Sequence, residues 1–522
     1  MNPQKVTVDG ESLKVDDVRR LVDNPDVSVE ISDRAWKKIR RSKNFVDQQL
    51  RLNNIVYGVN TGFGPMASHI ISPEGRVLLQ ENLIRSHAVG IGEPIPSAYV
   101  LAAMLVRLNT LVKGYSGVSD ILIKQLQFFI NQRIIPIVPE HGAVGTSGDL
   151  VQLAHIALAL MGEGEVIYRG RRQSAAKALR AAKIPPYRLE PREGLALING
   201  TAVMSGIGAL LCTEAERLLE AAIRLGAWSL ELVHGFSDSL AENLHRLRPH
   251  PGQMKVAEVM RELLASSKRL WDREELINKT NKEEVQLIEE DVQQVYSLRC
   301  IAQILGPILD TWEAVSRTVE IEMNSVTDNP IVDAEKKQFW HGGNFHGDYV
   351  ASAMDRLKAA IIKLTMLSER RINFFLNHNV NRIFPPFMNL EKPGLSLGLQ
   401  GLQFVATSTT AQSQSYAFPH HLHSIPTNGD NQDVVSMGTD AALLTSKVVE
   451  NAYVVLTIEV ATLAQGVDFL GNKGFATSTQ KVYQAMRKIF PVVKEDKAIS
   501  KELTQLTAFI KQSPSLDIKN LR

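Results

Sequence analysis

Cysteine is almost missing from this chain: 522 residues hold only Cys212 and Cys300. Two thiols cannot staple a chain of this length, which excludes a disulfide-built secreted scaffold. The opening MNPQKVTVDGESLKVDD has neither the basic nor the apolar region of a signal peptide, so a cytoplasmic protein is expected. An excess of one charge is missing too. Lys and Arg total 58 against 56 Asp and Glu, a formal charge of +2, and no field of one sign invites nucleic acid or an anionic membrane. Long uncharged apolar runs are also lacking. The most apolar stretch, Val448 to Leu470, is interrupted by Glu450, Glu459 and Asp468 and reads as a buried helix rather than a membrane span. Neither a GxxxxGKS/T phosphate loop nor a GxGxxG after a strand occurs, which argues against a nucleotide cofactor. His420, His421 and His423 have no acidic or Cys partner at ligand spacing, so no metal is expected.

What is present is a chain long enough for several cooperating subdomains around a large core. Helical spacing dominates it. Leu211, Ala215, Leu218, Ala222 and Leu225 fall on one helical face, with Glu214, Glu216, Arg217 and Arg224 elsewhere. Long helical segments are expected near Val292 to Met323, Tyr349 to Asn377 and Met437 to Ala464. Pro136, Pro139, Pro185, Pro186, Pro249, Pro251, Pro385 and Pro386 mark helix boundaries. Around Asp9-Gly10, VTVDGESLKV alternates as a hairpin or turn between two short strands would. The expectation is an all-α protein with a long-helix bundle core, a loop-rich N-terminal region and minor short strands. Its ranges are an N-terminal domain over 1–205, a central bundle over 206–470 and a C-terminal helical segment over 471–522. No internal repeat or low-complexity tract interrupts it.

The segment Gly142 to Leu150, GAVGTSGDL, is the most informative in the chain. In Thr146-Ser147-Gly148 the Gly148 amide nitrogen can reach back to the Thr146 carbonyl carbon, with no Cβ to block approach. The Ser147 hydroxyl can then leave as water, giving a methylidene group on a five-membered ring. Gly142, Gly145 and Gly148 allow the strained backbone this requires. By itself the tripeptide is equally an ordinary Gly-rich turn.

GAVGTSGDLVQLAH, YGVNTGFG at Tyr57 to Gly64 and GLALINGT at Gly194 to Thr201 resemble blocks of the aromatic amino acid lyase family. YSLR at Tyr296 to Arg299, DNP at Asp328 to Pro330, HGGNFHG at His341 to Gly347 and NQDVVSMG at Asn431 to Gly438 follow in the same order. The resemblance runs from about Val6 to beyond Asp468. It implies a homotetramer of long helices in which each active site is assembled from three chains. It also implies a 4-methylidene-imidazole-5-one (MIO) group formed autocatalytically from Thr146-Ser147-Gly148, with no metal. The family usually has Ala where this chain has Thr146; ring closure uses only that residue's carbonyl, so a Thr should be tolerated while crowding the pocket.

The same resemblance implies the roles of individual residues. Tyr57 is the base that takes the β-proton, and Tyr296 helps to position it. Arg299 binds the substrate carboxylate, a task suited to the bidentate guanidinium, with Asn344 sharing the work. Asn199 hydrogen-bonds the MIO region, Phe345 packs against it, and Gly64, Gln293, Asn431 and Gln432 line the pocket. Ser86 and His87 meet the substrate's ring. A buried His without a partner is costly against a bare phenyl ring, and a phenol hydroxyl satisfies it. Histidine lyases also carry Ser-His but usually have Glu at the position of Gln432. The expected reaction is therefore deamination of L-tyrosine to trans-4-coumarate and ammonia. The alternatives are a tyrosine 2,3-aminomutase, a histidine or phenylalanine ammonia-lyase, and an inactive helical scaffold.

Overall fold

The computed structural model describes residues 5–52, 54–274, 284–285, 292–392, 394–518 and 521. The first four residues of the opening stretch lie outside them. The fold is mainly helical with a few short strands, the all-α class expected. Contacts divide the chain into two compact units, each assembled from separated stretches. One comprises Met1–Thr213, Val315–Arg356 and Pro419–Thr445; the other comprises Glu214–Ala314, Leu357–Phe418 and Ser446–Arg522.

In the first unit Asp9-Gly10 makes a turn, with Gly10 at φ +85°, but no hairpin follows. Asp9 Oδ1 accepts the Glu11 and Ser12 amides at 2.8 and 2.9 Å, and the Gly10 amide is held by Asn109 Oδ1 at 2.9 Å. These bonds turn the chain into helix Val15–Asp23. Strand Lys5–Val8 pairs in parallel with Ser28–Ile31 instead, burying Val6 and Val8. At the centre of the unit, helix Ser97–Val112 is buried without a break from Val100 to Val112, as an element apolar on nearly all sides must be. Strands Ile91–Pro94 and Pro139–His141 pair antiparallel. From the second the chain enters the Gly-rich segment and then helix Leu150–Leu160.

The periodic face on helix Ala202–Leu232 is confirmed: Leu211, Ala215, Leu218, Ala222 and Leu225 are all buried. Helices Asp348–Leu376 and Gly438–Leu470 fill two of the other long segments. The segment beginning at Val292 is broken, with a single turn Tyr296–Arg299 separated from helix Ile301–Met323 by Cys300 at φ −108°, ψ 22°.

Helix Gly438–Leu470 is apolar and long enough to cross a membrane, yet 78% of its most apolar window is buried inside the protein. The three acids that interrupt it each find a partner within the second unit. Glu459 pairs with Arg371, whose Nη2 lies 3.1 Å from Oε2, both side chains fully buried. Asp468 accepts from Tyr483 Oη at 2.6 Å and pairs with Arg487. Glu450 meets Lys511 Nζ at 2.5 Å. Removing one member of the Arg371–Glu459 pair strands a buried charge, at a cost of about 3–5 kcal/mol.

Candidate active site

The Gly-rich loop is fixed from both sides. The Ser436 hydroxyl and the Gly347 amide donate to the Gly145 carbonyl at 2.9 and 3.0 Å, and the Met437 amide donates to the Val144 carbonyl at 3.0 Å. At the other end the Asp149 amide donates to the Gly200 carbonyl at 2.8 Å and the Gly200 amide to the Ser147 carbonyl at 3.2 Å. Thr146, Ser147 and Gly148 are therefore held between two anchored points, with Gly148 at φ +71°.

Asp149 immediately precedes helix Leu150–Leu160 but does not cap it. Its carboxylate crosses to the first turn of helix Ala202–Leu232, where Oδ2 accepts the Val203 and Met204 amides at 2.8 and 3.1 Å, and Oδ1 accepts the Thr439 hydroxyl. A carboxylate suits the positive end of a helix, but burial wins here and pushes its pKa up to about 6.

Gln432 faces the tripeptide. Its Oε1 accepts the Thr146 hydroxyl at 2.7 Å and the Thr427 hydroxyl at 3.0 Å, and its Nε2 donates to Ser147 Oγ at 3.1 Å. Tyr57 is half-buried; its hydroxyl oxygen accepts the Gly64 amide at 3.2 Å and its ring stands edge-on to His341 at 6.4 Å. A donor on the phenol oxygen stays useful when that oxygen carries negative charge.

Ser86 and His87 end helix Arg76–His87. His87 Nδ1 lies 2.9 Å from the Leu83 carbonyl and 3.0 Å from Ser86 Oγ, and Ser86 Oγ donates to the same carbonyl at 3.1 Å. A carbonyl can only accept, so Nδ1 carries the proton and Nε2 of the neutral ring is left as an acceptor. Asn199 is buried, and its amide donates to Asp328 Oδ1 and the Asn329 carbonyl, both at 3.2 Å, rather than to the tripeptide. Asp328 in turn pairs with Arg192 at 2.8 Å, both fully buried. Asn344 is exposed and donates to the Val326 carbonyl at 3.3 Å. Phe345 is half-buried, two residues before the Gly347 anchor, and Asn431 is exposed beside Gln432.

Tyr296, Arg299 and Gln293 belong to the second unit. There Arg299 lies 4.7 Å over the Tyr296 ring and donates to Gln293 Oε1 at 3.2 Å. Its Nε is buried without a hydrogen-bond partner among the described residues, and Tyr296 is 67% exposed.

Sequence reasoning missed Thr427, Ser436, Thr439 and Arg192, and missed what Asp149 holds. The histidines also have partners it did not find: His421 Nδ1 lies 2.6 Å from Asp355 Oδ2 and His420 Nε2 lies 3.5 Å from Asp440 Oδ2. No group of three or more potential metal ligands occurs among the described residues.

A family model for aromatic amino acid lyases matches residues 13–488, and the chain belongs to that family. It is 39% identical over 513 residues to a histidine ammonia-lyase of Geobacillus thermodenitrificans, covering 98% of each chain. Among solved structures, tyrosine aminomutase from Streptomyces globisporus matches with a TM-score of 0.94 and 35% identity over 98% of each chain. Phenylalanine aminomutase of Pantoea agglomerans matches with a TM-score of 0.94 and 34% identity, over 98% of this chain and 100% of that one. The activity is that of a carbon–nitrogen lyase family whose substrate is a small-molecule amino acid, and the family uses the MIO group, formed autocatalytically and without a metal. Specificity for tyrosine, expected from Ser86-His87 and Gln432, has no support from the histidine ammonia-lyases matched along the whole chain. The histidine alternative fits them better.

The residues present fit that group. Ser147 Oγ has a donor directed at it, Gly148 has a positive φ, and both flanks of the tripeptide are anchored.

Proposed function

We propose that this chain is an ammonia-lyase of an aromatic L-amino acid, with L-histidine as its substrate. The observation that carries the reading is the placement of Ser147 and Gly148 on Gly200, under the Gln432 carboxamide. Once formed, the MIO group supplies an electrophilic carbon that makes the substrate's amine a good leaving group. The remaining work belongs to the chain. Gln432 orients groups above residue 147, and Tyr57 takes the β-proton. Arg299 holds the carboxylate through a guanidinium whose Nε has no hydrogen-bond partner among the described residues. Asp328, fixed by Arg192, orients Asn199 beside the loop.

Tyr296, Arg299 and Gln293 act from a neighbouring subunit of a cytoplasmic homotetramer, in a site built from three chains. The high exposure of Tyr296 supports this reading. Histidine is supported by relatives that are histidine ammonia-lyases and match nearly the whole chain.

A second reading, L-tyrosine, is favoured by two observations. Gln432 is a neutral amide where a cationic imidazole calls for a carboxylate, and His87 Nε2 is an acceptor suited to a phenol hydroxyl. An aminomutase uses the same residues but retains the amine long enough to add it back. Chromatography of reactions with L-histidine, L-tyrosine and L-phenylalanine decides among these. The proposal expects deaminated product from histidine. Turnover of tyrosine alone overturns the substrate assignment, and a β-amino acid product overturns the lyase assignment.

A further inference from the structure

Thr146 supplies the carbonyl carbon at which the ring closes, and its side chain is engaged as well. It is only 3% exposed, and its hydroxyl reaches Gln432 Oε1 at 2.7 Å. Thr427 approaches the same oxygen at 3.0 Å. Thr427 is itself fixed to Gln432 through the backbone, its amide donating to the Gln432 carbonyl at 3.0 Å and its carbonyl accepting the Gln432 amide at 3.3 Å. Two hydroxyl donors fill both lone pairs of the carboxamide oxygen. The other half of the amide is thereby turned on Ser147 Oγ, 3.1 Å away. That oxygen must depart when the ring is made, and a preorganised donor aimed at an oxygen gathering negative charge lowers the barrier to its departure.

We propose that Thr146 is a positioning residue for maturation of its own tripeptide: with Thr427 it holds Gln432 so that the Gln432 amide donates to the departing Ser147 oxygen. The inference rests on the reading that this chain forms the MIO group. The chemistry needs no external reagent. The Gly148 nitrogen bonds to the Thr146 carbonyl carbon. The former carbonyl oxygen leaves as one water, carrying the amide protons of Gly148 and Ser147, and a carbon–nitrogen double bond forms. The Ser147 Cα–H and Cβ–O bonds then break, the proton and hydroxide leaving as a second water and the electron pair forming the methylidene double bond. Only this second loss is assisted by Gln432.

The two losses can be counted separately. Wild type, Thr146→Val, Thr146→Ser and Thr427→Val are expressed as full chains. Their intact masses and the masses of the peptide bearing Gly142 to Leu150 are followed over time from purification, alongside circular dichroism as a check of the fold. Loss of a hydroxyl hydrogen bond worth about 1 kcal/mol slows a step about fivefold. The expected result is that both valine variants accumulate a species lacking one water and still holding the Ser147 hydroxyl. Wild type and Thr146→Ser lack both waters. A merely structural role for Thr146 blocks ring closure and leaves both waters in place, and that result overturns the proposal. So do valine variants that lose both waters as fast as wild type. Wild type that has lost neither water removes the MIO reading and this inference together, whereas dehydrated wild type with indistinguishable valine variants removes this inference alone.

Discussion

Gly148 lies backbone against backbone on Gly200: a Cβ at position 148 would stand 2.0 Å from the Gly200 carbonyl oxygen. Gly200, at φ +152°, has no more room, since its own Cβ would meet Arg107 Nη1 and the Thr327 carbonyl oxygen, each at 2.4 Å. The nitrogen that must attack is thus pressed into place by a second glycine 52 positions later, which is itself backed by a buried arginine.

Replacing either glycine should therefore disable maturation before it harms substrate binding. Gly148→Ala is expected to leave both waters in the tripeptide. Gly200→Ala is expected to do the same while destabilising the protein by about 1–3 kcal/mol through overpacking. Peptide mass and thermal unfolding of the two variants check this. A fully dehydrated Gly200→Ala protein contradicts it.

Asp149 makes stability fall with rising pH. Its folded pKa of about 6 lies above the ordinary 3.8 because burial disfavours the charged form. Its contribution is complete below pH 3.8 and is lost as pH rises through 6. A shift of about two pKa units corresponds to about 3 kcal/mol. Denaturant titrations between pH 4 and 7 should show this slope in wild type and a flatter one in Asp149→Asn. Parallel slopes sink the assignment.

Glu220 provides a second such window in the second unit. It accepts the Ile518 amide at 3.0 Å, while Arg224 holds the Leu516 carbonyl at 2.8 Å. Burial raises Glu220 from 4.5 to about 7, so the docking of this C-terminal segment weakens as pH rises through 7. Limited proteolysis should release the segment faster at pH 8 than at pH 6. Glu220→Gln should abolish the difference.

Gln432→Glu tests which ring the pocket is built for. A carboxylate strengthens binding of a protonated imidazole by about 1 kcal/mol more than a neutral amide does. The ratio of kcat/KM for histidine over tyrosine, measured on fully dehydrated protein below about pH 6.5, should rise roughly five- to tenfold. An unchanged ratio removes Gln432 from the recognition of the ring.

The long helices were legible because burial repeats along them, as at Leu211 to Leu225. The tripeptide and Gln432 were legible only as blocks whose chemistry is distinctive. Asp149 illustrates why the rest was hidden. A local capping rule assigns it to the helix it precedes, but its carboxylate serves one that begins 53 residues later. Thr427, Ser436 and Arg192 are similar: each is an ordinary polar residue whose partner is supplied by the fold, so no spacing announces it. The opening strand misled for the same reason, because alternation fixes which residues are buried but not which strand is the neighbour.

The most direct test is the mass of the purified protein, with the peptide holding Gly142 to Leu150 isolated and fragmented. The account predicts a loss of two waters confined to Thr146-Ser147-Gly148, and its disappearance in Ser147→Ala together with all turnover. An unmodified tripeptide in protein that still releases ammonia from an aromatic amino acid would contradict it.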